Sequence, residues 1–165
     1  MNESNAISPY LASAILDNPV ALVTSAHGGR RNVMTASLFA ESSHLPVLLR
    51  VAIRPTTLTH ELVAASGWFG LSILASHQGE LARACGASSG RDGSKFERLR
   101  LKTFAGPRDV PLLPGLLTTS ACRVVERIEL GEHTLFVGEI VESYRQSRLA
   151  HLPPLLVSDL VAYLG

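Results

Sequence analysis

Residues 19–60 read PVALVTSAHGGRRNVMTASLFAESSHLPVLLRVAIRPTTLTH. An apolar, β-branched run at 20–25 leads into His27-Gly28-Gly29, a turn suited to positive φ. The chain then returns as a second strand over 31–39. Residues 47–53 form a continuous apolar run broken only by Arg50, the pattern of a strand covered on both faces or nearly so. Next comes RPTTLTH, where hydroxyls precede a helix expected over 57–65, with Glu61 in its first turn and Gly67 at its end.

Downstream, 68–74 reads as a strand and 76–85 as a helix capped by Ser76 and closed by Gly86. The polar segment 87–93, ASSGRDG, is the expected mobile loop, and Lys95-Phe96 opens a short helical turn. PRDVPLLPG at 107–115 has no periodicity. Two long strands follow over 116–128 and 133–144, around a tight turn containing Gly131. Upstream, Ser8-Pro9 starts a short helix running to about Leu16, within a helical segment 1–17. Five or six strands with a few inserted helices predict a mainly β chain built as a small barrel. There is no internal repeat or linker, so residues 1–165 are expected to form one domain.

The chain has 165 residues, 46% of them apolar and 18% charged, with a formal net charge of +1. Mean hydropathy is +0.22 and the isoelectric point about 7.9. Such a balance offers no field for nucleic acid or an anionic membrane. The charge-poor composition reads either as apolar surface buried against a second subunit or as a small domain rich in Ala and Leu. Cys85 and Cys122 lie far apart, with no CxxC spacing and no partnered histidine. Neither a disulfide framework nor a zinc site is indicated, and both are read as small buried residues. No apolar window spans a membrane, the N-terminus lacks a signal peptide's basic region, and a cytoplasmic protein is expected.

The order of these pieces, with N-V-M-T-A-S at 32–37, R-P-T-T-L-T-H at 54–60 and G-E-H-T-L-F-V-G-E-I at 131–140, resembles the flavin reductase-like proteins. That resemblance implies a split β-barrel binding FMN or FAD, with NADH or NADPH as hydride donor. It also implies a homodimer and a separate flavin-dependent monooxygenase as recipient of the reduced flavin. By the same resemblance, backbone amides and a hydroxyl of Met34, Thr35, Ala36 and Ser37 contact the flavin ring and ribityl chain. Small residues there let a flat ring approach the backbone, and Asn32 is a weaker candidate. The competing reading is an ordinary strand with polar residues facing solvent.

Three hydroxyls and a guanidinium at a helix start make an anion site, so Thr57, Thr59 and Arg54 are candidates for the flavin phosphate. Helix capping alone would account for one threonine, not three. His133 matches a histidine lying near flavin and nicotinamide, and would position the nicotinamide or stabilise charge on reduced flavin; its alternative is a solvent-facing strand residue. Lys95-Phe96 resembles the family's K-F pair. Phe96 is read either as a ring covering flavin or nicotinamide with Lys95 on a phosphate, or as a core residue beside a solvated lysine.

No G-x-G-x-x-G follows a strand, so a reduced nicotinamide dinucleotide would bind folded over the flavin. The histidines show no metal-ligand spacing, and no metal is expected. The chain departs from the family where Leu38 and Glu41 replace small hydroxyl residues. A carboxylate beside a phosphate costs binding, so Glu41 must point away, pair with an arginine such as Arg54, or mark a weak flavin site. Two rivals follow: a non-catalytic flavin-binding or electron-transfer protein, and a dimeric binding module that has lost flavin.

Overall fold

A computed structural model describes residues 16–162 and, ahead of them, residues 6, 8, 9 and 13. The helix expected from Ser8 to Leu16 lies for the most part outside the described residues. Among the described residues, seven strands form one antiparallel sheet: β1 Ala21–His27, β2 Arg30–Ala36, β3 Phe39–His44, β4 Val47–Ile53, β5 Trp68–Ile73, β8 Thr118–Leu130 and β9 His133–Arg145. Their order is β2-β1-β5-β8-β9-β4-β3. The small pair β6 Phe104–Ala105 and β7 Pro111–Leu112 lies apart. Within residues 16–162 the α-helices are α1 Leu58–Ser66, α2 Gly79–Gly86, α3 Lys95–Arg98 and α4 Val157–Ala162.

The β1–β2 hairpin closes through Gly28 and Gly29, at φ +58° and +75°. Positive φ at both central positions is what a two-residue turn between right-twisted strands demands. The return strand expected over 31–39 ends at Ala36, and after Ser37-Leu38 a further strand follows that the sequence reading did not place. That strand, β3, FAESSH, lies at the other edge of the sheet, where a half-exposed polar strand is tolerated and leaves little hydrophobic signal.

That break sets the architecture. Laid flat, seven strands would put β2 and β3 about 29 Å apart at ordinary strand spacing. The three chain steps from Ala36 to Phe39 span at most about 11 Å. The sheet therefore rolls until its edges adjoin at this corner, and Leu38 O accepts from Ala52 N of β4 there at 2.9 Å. The product is the rolled, split β-barrel that the resemblance implied.

Period-2 alternation along β1 then feeds two cores. Ala21 and Val23 face the barrel interior with Val51, Ile53, Phe69 and Phe136. Val20 and Leu22 face the outer layer with Leu74, Ala82, Cys85 and Phe96. Both cysteines are fully buried, and burial pushes their thiols up, to about 11 for Cys85 and about 12 for Cys122.

Gly138 of β9 is a close-approach position, since an added Cβ would stand 2.6 Å from Phe69 Cε1 and 2.9 Å from Cys122 Cβ. Gly138→Val should overpack the interior and cost about 1–3 kcal/mol. A urea titration followed by tryptophan fluorescence checks this, and an unchanged midpoint would refute the packing assigned to Gly138.

Candidate functional site

β2 is an edge strand, and the start of α1 lies against it. Thr57 caps α1: its hydroxyl donates to Arg54 O (2.9 Å) and accepts from His60 N (3.2 Å). In the first turn the amides of Leu58 and Thr59 keep no intrahelical acceptor. Beyond β2, α2 packs alongside, and the Thr35 hydroxyl donates to its Ala82 carbonyl at 2.5 Å.

Two cavities line this seam. The smaller, about 210 Å³, is walled by Met34, Thr35, Ala36, Ser37, Leu38, Ala52, Arg54, Thr57 and His133. The larger, about 440 Å³, takes in Asn32, Thr56 to Thr59, the turn after α2 as far as Gly90, and Lys95. Met34, Thr35 and Thr57 belong to both, so the two form one groove, within the size range of cofactor sites.

Polar groups are concentrated in the larger part. Asn32 is 3% exposed, and its Nδ2 donates to the Thr59 hydroxyl at 2.9 Å. Its Oδ1 has no partner, a state that costs about 1–3 kcal/mol until a donor meets it. Gly90 lies against this amide so closely that a Cβ there would collide with it. Lys95, 3% exposed, donates from Nζ to Val33 O of β2 (2.9 Å) and Cys85 O of α2 (2.7 Å). Burial lowers its pKa, while the two carbonyls satisfy two of its three donors.

The smaller part is carried by Arg54 and His133. Arg54 Nη2 donates to Glu132 Oε1 at 3.0 Å, and His133 Nδ1 stands 3.8 Å from the same oxygen. Arg54 thus sits beside His133 and is not among the residues lining the larger cavity with Lys95.

Asn32, Met34, Thr35, Ala36, Ser37, Arg54, Thr57, Thr59, Lys95 and His133 all line the groove. Phe96 does not: at 2% exposure it packs in the outer core, with the Arg31 guanidinium 4.5 Å from its ring centroid. A ring so enclosed covers no ligand, and of the two readings of Phe96 the core one holds. Its neighbour Lys95 is buried, not solvated. Glu41 points away, lining a different groove and meeting His44 Nδ1 at 2.8 Å, so its carboxylate does not oppose an anion here. Leu38 stays in the wall of the smaller cavity.

Sequence reading missed Glu132 and Gly90. An acid directly before His133 at a hairpin tip was the available signal for the first; nothing local marked the second. Among the described residues no group of three or more His, Cys, Asp or Glu side chains converges as metal ligands. Nor is any described helix long and apolar enough to cross a membrane.

The chain belongs to the flavin reductase like domain family, whose model matches residues 13–159. It is similar to the NADH:riboflavin 5'-phosphate oxidoreductase of Streptomyces pristinaespiralis, 34% identical over 132 residues, covering 79% of this chain and 73% of that one. It is also similar to the reductase component of a Rhodococcus opacus 4-nitrophenol 4-monooxygenase/4-nitrocatechol 2-monooxygenase, 31% identical, covering 82% and 75%. Among solved structures, an FMN-binding protein from Thermus thermophilus with bound 1-cyclohex-2-enone superposes with TM-score 0.78 at 27% identity, covering 90% of this chain and 83% of that one. The chain spans only part of its curated relatives, 63% of one from Archaeoglobus fulgidus that is 36% identical.

His60 joins the site to the barrel. It is 8% exposed, its Nε2 lies 2.9 Å from the Thr134 hydroxyl, and its ring meets Phe136 edge-on at 5.2 Å. Burial first, then Arg127, hold its pKa below the ordinary 6.5, with Glu129 opposing. Below that ordinary value the unfolded chain takes up a proton that folded His60 resists, so its contribution is full at higher pH and lost as pH falls. Urea midpoints should therefore drop on acidification through this range. His60→Gln, which cannot titrate, should flatten that part of the curve.

Proposed function

We propose that the chain is an NADH-dependent flavin reductase that hands reduced FMN or FAD to a separate monooxygenase and works as a cytoplasmic homodimer. The observation that carries this reading is the single groove. It joins a strand of small and hydroxyl residues to a helix start and a buried ammonium at one end, and to His133 at the other. Family membership supports the same chemistry.

The residues fit a flavin. Ala36 and Ser37 leave room for a flat ring against the β2 backbone. The Leu58 and Thr59 amides, the Thr59 hydroxyl and the Lys95 charge favour an anion in the larger cavity. The Asn32 oxygen accepts a hydroxyl donor such as a ribityl chain carries. Bound there, the flavin supplies a hydride acceptor for reduced nicotinamide. His133, in the wall of the smaller cavity, would position the nicotinamide, and Leu38 and Met34 would keep water from that part of the groove.

The dimer reading rests on exposed apolar side chains, Leu45 (94%), Leu130 (53%), Leu38 (49%), Val125 and Val141 (both 47%). Because Leu38 also walls the smaller cavity, a second subunit there would close that side of the site. Sedimentation should give about twice 17.7 kDa at micromolar concentration. A flavin-loaded monomer would refute the dimer.

Visible spectra of the purified protein with added flavin, then NADH or NADPH without oxygen, test the activity. Bleaching by NADH is expected; a bound flavin that stays oxidised would mark a non-catalytic flavin-binding protein instead. His133→Ala should leave flavin affinity unchanged and lower kcat/KM for NADH about ten- to several-hundredfold, roughly 1.4–4 kcal/mol of barrier.

A further inference from the structure

Arg54 and His133 come from distant parts of the chain but share one neighbour. A single oxygen, Glu132 Oε1, accepts from Arg54 Nη2 at 3.0 Å and faces His133 Nδ1 at 3.8 Å. Arg54 and His133 line the smaller cavity, whereas Glu132, with its side chain 70% exposed, does not. The carboxylate belongs to the exposed turn between β8 and β9, immediately before His133.

Such a placement has a chemical consequence. A carboxylate only accepts, so a neutral imidazole turned toward it carries its proton on Nδ1. The partner of one ring nitrogen fixes what the other presents. Nε2 is then left as an acceptor for whatever occupies the cavity. The 3.8 Å separation is longer than a hydrogen bond, but a carboxylate at that range favours the proton on the nearer ring nitrogen by charge alone.

We propose that Glu132 is a positioning residue, fixing His133 in its Nδ1–H tautomer so that Nε2 accepts from an N–H donor on the ligand, a role that rests on the flavin reductase reading above. The carboxamide of a nicotinamide is a donor of that class. Arg54 donates to the same oxygen of Glu132 and keeps the carboxylate beside the ring. Without Glu132, His133 would be free to carry its proton on Nε2, setting donor against donor in the cavity.

Nitrogen chemical shifts of the His133 ring in ¹⁵N-labelled protein, before flavin is added, read the tautomer directly. Wild type should carry Nδ1–H and Glu132→Ala should carry Nε2–H, at an unchanged melting temperature because Glu132 is exposed. With flavin and NADH, Glu132→Ala should raise KM for NADH about three- to tenfold, the worth of one partly exposed hydrogen bond, with kcat and flavin affinity unaltered. In a His133→Ala background the same change should leave KM where it is. Nε2–H in wild type, the same tautomer in both proteins, an unmoved KM, or a KM cost that survives in His133→Ala would each overturn the role of Glu132. If wild type fails to oxidise NADH, the reductase reading falls, while the tautomer measurement still decides what Glu132 does.

Discussion

Everything in this molecule depends on the covalent tether Ser37-Leu38 between the two edges of the sheet. Hydrogen bonding alone would let seven antiparallel strands splay into a twisted open sheet; the tether forces them round. Once rolled, the sheet has an interior to fill, and Phe69 and Phe136 fill it, with Gly138 giving Phe69 its room. The same corner sets Ala36, Ser37 and Leu38 beside Ala52 and His133, so the closure that makes the barrel also makes the smaller cavity.

The larger cavity depends on a second device, a charge buried on purpose. An ammonium taken out of water is tolerated only where acceptors replace its hydration. Lys95 finds them in a carbonyl on the edge strand and another near the end of α2. In doing so it ties the outer layer to the edge strand, whose outward carbonyls have no further strand to pair with. One side chain thus blunts a sheet edge, anchors a helix and places positive charge beside the first turn of α1.

Much of this was readable from the chain alone. The Gly-Gly hairpin, the apolar run at β4 and the hydroxyl-rich start of α1 are local signals, and each settled where the sequence placed it, although β4 is buried only at Val51 and Ile53 and not covered on both faces as its composition suggested. Strand β3 was not readable, because FAESSH has the composition of a loop and owes its strand state to pairing with β4. The site was legible as a set of residues but not as an arrangement. Arg54 looked like a phosphate ligand because it precedes the threonines. Its partner Glu132 lies 78 positions away, and no local pattern reports that contact. Phe96 shows the same limit, since the K-F pair says nothing about which side of the backbone holds the core.

The collision between Gly90 and Asn32 also constrains how this chain can vary. Gly90 does not have a left-handed backbone, so its conformation alone would accept many residues. Its lack of a side chain is demanded by the amide beneath it, which in turn is held by Thr59. Substitutions at the two positions are therefore sterically coupled. A lineage that shortens residue 32 frees residue 90 to grow, whereas one that keeps the asparagine must keep the glycine, on a surface loop where variation is otherwise cheap.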